Sequence, residues 1–150
     1  ELGGTALSVC EVPGHTPGSV VVLDERSNRL FTGDAIGSGY GVWMQTPTAV
    51  PLETYYESLV HLLKWLVDRG GRMSFHGGHR YQMFQSTHVP SFNPPSLGLL
   101  CDLIDLVDQI IHGKIVGRIS NVDNIMELEP VLYAAYGRAE IQYKASNIRI

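Results

Sequence analysis

Residues 12–22, VPGHTPGSVVV, place one histidine between two Pro/Gly pairs at the mouth of a valine-rich run. Pro and Gly mark turns because one fixes φ and the other tolerates either sign of it. The valines that follow favour an extended strand. His15 is therefore expected at a turn just before a strand, where a sheet can aim a side chain outward while its own body stays packed.

The chain reads outward from this turn in both directions. TALSVCEV (5–12) alternates Ala6, Ser8, Cys10 and Val12 with Leu7, Val9 and Glu11, a period of two that predicts a strand. SVVVLD (19–24) is apolar at nearly every position and predicts a strand buried on both faces. ERSN then turns the chain into RLFTGDA, so a hairpin is expected. AIGSGYGVWMQTPTAVP (35–51) reads as a long loop that carries Tyr40, Trp43 and Met44. Over 52–69, Leu52, Tyr55, Tyr56, Leu59, Leu63 and Leu66 recur at helical spacing, with Pro51 before the first turn and Gly70-Gly71 at the stop.

RMSFHGGHR predicts a short strand ended by two glycines. Ser96 is placed to cap a second helix in which Leu97, Leu100, Cys101, Ile104, Val107 and Ile111 form the stripe and Gly113 the end. KIVGRI and AEIQYK predict further strands, and NIRI is expected to pair with the latter. No repeat or linker interrupts the chain, so residues 1–150 are read as one domain or part of one, of α/β composition.

Three polar residues follow predicted strands: His15, Asp34 and His79. Imidazole nitrogen and carboxylate oxygen suit Zn²⁺, and Mn²⁺ or Fe as well. Singly, each has an ordinary explanation: a loop histidine, an aspartate capping a turn, a histidine bordering a bend. Their order and strand context carry more. GHTPGS, LFTGDA and HGGH together make the sequence resemble the metallo-β-lactamase-fold hydrolases, and residues 5–80 hold the specific part of the likeness.

The resemblance implies a C-terminal half of a four-layer αββα sandwich, with a mixed sheet flanked by two main helices. It implies His15, Asp34 and His79 as ligands of one or two Zn²⁺ ions, with Asp34 bridging. It implies hydrolysis of an ester-like, thioester-like or amide-like small molecule by metal-bound water. His79 is preferred over His76 as the ligand, and His76 is expected in the strand body, where it would orient a ligand. Tyr40, Trp43 and Met44 are candidates for an apolar wall against the substrate; Trp43 and Met44 serve equally well as plugs of the core beneath the loop.

The family's H-x-H-x-D-H motif does not occur in these 150 residues. Four ligands are therefore expected from elsewhere, and the chain alone is expected to be inactive. Half a sandwich also leaves one apolar sheet face uncovered, which predicts a partner: the complementary N-terminal half or a second copy. A non-catalytic binding or assembly module built on the half-fold is the alternative reading, and an iron-dependent redox member is a further one within the enzymes.

Bulk composition narrows the partners. Eleven basic and fifteen acidic residues give a net charge of −4, with no basic block, so nucleic acid is not expected. No apolar run reaches the ~18–20 residues that span a bilayer, so neither is a membrane. Cys10 and Cys101 lack metal-ligand spacing and are expected as buried thiols. Glu1 stands where an initiator Met would, and no basic and apolar leader follows, which suggests a fragment or processed product whose address signal would have gone with its true start; a cytoplasmic address is the expectation.

Overall fold

A computed structural model describes residues 3–37, 41–70, 72–79, 94–120 and 129–149. The elements in chain order are β1 (Leu7–Glu11), β2 (Val20–Asp24), β3 (Arg29–Gly33), β4 (Val42–Trp43), α1 (Leu52–Val67), β5 (Ser74–Gly77), α2 (Leu97–Ile111), β6 (Arg118–Ile119), β7 (Leu132–Tyr136) and β8 (Ala139–Tyr143). They form two mixed four-stranded sheets and two helices, ordered β1-β2-β3-β5 and β4-β8-β7-β6. The mixed α/β architecture expected from the sequence is present, with its strands divided between two sheets.

In the first sheet, β1, β2 and β3 are antiparallel and β5 joins β3 in parallel. The β2–β3 hairpin is set by Asp24, whose carboxylate accepts from the backbone N–H groups of Arg26 and Ser27 at 3.0 and 3.2 Å and from the Ser27 hydroxyl at 2.6 Å. Asn28 completes the turn at φ 51°, a conformation that asparagine tolerates. Parallel pairing of β3 with β5 requires a crossover, and the chain from Asp34 through α1 supplies it.

Alternation along these strands divides the sheet into two unlike faces. Cys10, Val21, Leu23 and Leu30 point inward and join α1 and α2 in one core. On the other face Leu7, Val9, Val20 and Phe31 remain 42%, 58%, 42% and 45% exposed. The expectation that SVVVLD is buried on both sides is therefore corrected for the described residues: Val21 and Leu23 are covered, Val20 is exposed and Val22 is half-buried. Within these residues the helices cover only the inner face.

Both helices begin and end as their sequences dictate. In α2 the Ser96 hydroxyl accepts from the backbone N–H of Leu99 at 3.1 Å, the reach of an N-cap. Gly113 closes its C-terminal end at φ 67°, and Gly70 follows α1 at φ 84°. The buried stripe of α2 runs through Leu99, Leu100, Leu103, Leu106, Val107 and Ile110, rotated from the predicted one. Cys101 is consequently exposed, whereas Cys10 is buried. The rotation arises because α2 packs against α1 and also against β7 and β8, which together select the leucine-rich side.

In the second sheet, β8 pairs antiparallel with β7 and parallel with β4. Residues 132–136 form a strand that no pattern in their own sequence predicts; Gly137 at φ 57° makes its tight connection to β8. Over residues 147–149, the described part of NIRI, the expected strand is absent, and a 3-10 turn spans Ala145–Asn147. Its reason is a long-range one: Asn147 spends its amide on two carbonyls of the 41–50 segment, donating to Met44 O at 3.1 Å and Val50 O at 3.0 Å.

Candidate functional site

The turns that carry His15, Asp34 and His79 all belong to the first sheet, following β1, β3 and β5. Two of them are drawn together by backbone. Gly33 takes φ 51° at the end of β3, and a Cβ on Gly78 would lie 3.2 Å from the Gly33 Cα. Gly33 meets the need for a positive φ, and a side chain on Gly78 would crowd the Gly33 backbone, so glycine suits both strand tips. The result is a contact of 3.2 Å between His79 Nε2 and Asp34 Oδ1. The two side chains are 45% and 35% exposed, accessible to solvent at the end of the sheet.

His15 is oriented differently. Its Nδ1 lies 2.7 Å from the backbone carbonyl oxygen of Trp43. A carbonyl can only accept, so the ring hydrogen resides on Nδ1 and the lone pair of the neutral ring is left on Nε2. The turn itself is tied to the segment after β4: Val50 N–H donates to Gly14 O at 3.0 Å, and the Thr46 hydroxyl to His15 O at 3.4 Å.

Tyr55, which the sequence reading used only as a member of a helical stripe, supports two of these turns. Its ring is fully buried and lies under Gly14, where a Cβ would come within 2.3 Å of a ring carbon. Its hydroxyl donates to Ala35 O at 2.7 Å, one residue past Asp34. Burial pushes the phenol well above its ordinary pKa, so it remains a donor at any working pH. No spacing rule singles out this tyrosine, because its role depends on a glycine 41 residues earlier in the chain.

The remaining candidates separate by burial. Met44 is fully buried in the core, while Trp43 is 41% exposed. Tyr40 lies outside the described residues. His76 sits in β5 as expected; its ring packs beside Phe31 at 5.5 Å between centroids, and its Nε2 lies 3.2 Å from the Ser74 hydroxyl. These contacts place it on the uncovered face of the first sheet.

The donors fit a metal ion in kind. A carboxylate and an imidazole already meet, and His15 has the tautomer that leaves Nε2 available. They do not fit in number. Among the described residues no group of three or more His, Cys, Asp or Glu side chains is gathered so as to hold a metal ion. The resemblance gathers the three side chains about one or two ions with Asp34 bridging; the structure brings Asp34 and His79 into contact and ties His15 to the Trp43 carbonyl. Four-coordinate zinc needs more than this pair supplies.

Among the described residues no helix is long and apolar enough to cross a membrane. No curated protein matches the chain closely enough to count as a relative. Residues 1–80, a little over half of the chain and the part that carries all three turns, match the family model described as the metallo-beta-lactamase superfamily, and the chain belongs to that superfamily.

Proposed function

We propose that this chain supplies one part of the metal centre of a hydrolase, with His15, Asp34 and His79 as its ligands, and that a complementary segment supplies the rest. The contact between Asp34 and His79 at the paired tips of β3 and β5 carries this reading. Membership of the superfamily is compatible with metal-dependent hydrolysis, and the substrate proposed is a small ester, thioester or amide.

Each residue has a task that follows from its surroundings. Asp34 offers a carboxylate held by the Gly33 turn. His79 brings its Nε2 to 3.2 Å from that carboxylate, so the two groups can face one ion together. His15 presents Nε2, its Nδ1 being committed to the Trp43 carbonyl. When bound, the metal would supply a water acidic enough to ionise near neutral pH and an electrophile for the substrate carbonyl oxygen. Trp43, half-exposed beside the carbonyl that holds His15, offers an apolar surface for the substrate.

Two independent features favour a complementary segment. Among the described residues the donor set is short of a full shell, and the face of Leu7, Val9, Val20 and Phe31, which they leave exposed, belongs to the same sheet whose tips carry the three residues. A segment seated on that face would end beside the ligands. The experiment is a metal and hydrolysis assay on the protein with its complementary segment, wild type against Asp34→Ala. Loss of both bound zinc and turnover in the variant is expected; unchanged turnover would refute the assignment. If the wild type binds no metal and turns over nothing while still associating through this face, the non-catalytic assembly module is the correct reading.

A further inference from the structure

We infer that the second sheet positions the His15 imidazole, through the 41–50 segment, and that Gly41 and Asn147 are the positioning residues. The inference rests on the proposed ligand role of His15, but the geometry that carries it is separate from the Asp34–His79 contact.

The segment from Gly41 to Val50 is bonded on both sides. Toward the first sheet it receives the His15 ring on Trp43 O, and it donates to the His15 turn through Val50 N–H and the Thr46 hydroxyl. Toward the second sheet it pairs as β4 with β8, Val42 opposite Ile141 and Trp43 opposite Gln142, and Met44 N–H donates to Gln142 O at 2.7 Å. Asn147 then closes the far side by donating to both Met44 O and Val50 O. The direction of the Trp43 carbonyl is thus decided by β8 and by Asn147, and that carbonyl decides which nitrogen of His15 keeps its lone pair.

Gly41 makes the close pairing possible. It sits at φ 81°, and a Cβ there would fall 2.5 Å from both the carbonyl carbon and oxygen of Glu140. Backbone cannot yield as a flexible side chain does, so an alanine at this position must push β4 off β8. Gly70 is the matched comparison. It has nearly the same φ, 84°, but a Cβ there meets nothing within 4 Å. Gly41→Ala and Gly70→Ala therefore share the backbone strain and differ in the displacement of β4.

The test reads the His15 tautomer by ¹⁵N NMR of the metal-free chain, at a pH where the ring is neutral. The wild type and Gly70→Ala are expected to carry the proton on Nδ1. Gly41→Ala is expected to lower the ratio of the Nδ1–H to the Nε2–H form roughly tenfold, the scale of one net hydrogen bond. Asn147→Asp, which keeps the side chain's size and removes its donors, should move the ratio the same way without touching β4's own pairing. A wild-type His15 protonated on Nε2 overturns the inference, even if no variant folds. So does a wild-type ratio in folded Gly41→Ala and Asn147→Asp. Zn²⁺ added to the same proteins together with their complementary segment separates the two readings: a tautomer that follows the variants while zinc, bound by the assembled protein, leaves the His15 resonances unmoved supports the positioning role and sinks the ligand assignment.

Discussion

Removing a single oxygen atom from Tyr55 probes how firmly α1 supports the turns beside it. The Tyr55 side chain is fully buried, its hydroxyl donates to Ala35 O at 2.7 Å, and Ala35 is itself only 2% exposed. Tyr55→Phe keeps the ring under Gly14, so packing is preserved and the loss is confined to one hydrogen bond. The carbonyl left behind has no access to water and pays its desolvation in full, about 1–3 kcal/mol. At roughly 2–4 °C per kcal/mol for a chain of this size, the midpoint of thermal unfolding should fall by about 4–8 °C for a central loss of about 2 kcal/mol. Urea unfolding should show the same loss as a lower midpoint with an unchanged slope. Tyr56→Phe, on the half-buried neighbour, is the control and should change stability by less than about 0.5 kcal/mol. A Tyr55→Phe protein as stable as the wild type would mean that the hydroxyl is not holding the Ala35 turn.

Two other outcomes follow from local surroundings. The Ser27 hydroxyl, with the backbone N–H groups of Ser27 and Arg26, holds the Asp24 carboxyl below its ordinary pKa; its contribution to the hairpin is therefore complete above the unfolded value of about 3.9 and is lost as pH falls through the lower folded value. An NMR titration should show that depressed midpoint, and Ser27→Ala should return it toward the ordinary one; identical midpoints in the two proteins would contradict the capping role. For the cysteines, Cys101 is exposed whereas Cys10 is 3% exposed with its thiol pKa raised by burial. Brief alkylation of the native chain should add one group, at Cys101, and alkylation in denaturant two; a native double adduct would contradict the burial of Cys10.

Much of the fold is readable along the chain because it is local. The β2–β3 hairpin follows from Asp24 and its polar turn, α1 from its apolar spacing, and α2 from the Ser96 cap and the Gly113 stop. What escaped the reading was non-local. The strand at 132–136 is defined by its pairing with β8, since LYAAY has no strict alternation of its own. The C-terminal NIRI reads as a strand by composition, yet Asn147 is committed to the carbonyls of Met44 and Val50 and the chain turns instead. Cys101 fits an apolar stripe when α2 is considered alone; contact with α1, β7 and β8 rotates the helix and leaves it outside.

The candidate site divides in the same way. Sequence alone determined which residues follow the strands, His15, Asp34 and His79, because strand ends and glycine turns are written in neighbouring residues. It also determined the family, since the three motifs lie in order within residues 1–80. Tertiary structure decided which of them meet. Two glycines 45 positions apart let the tips of β3 and β5 close on each other, and a carbonyl from a two-residue strand turned the third ring toward Trp43. Contacts of this kind depend on backbone approach between distant segments, a quantity that periodicity and residue type do not encode.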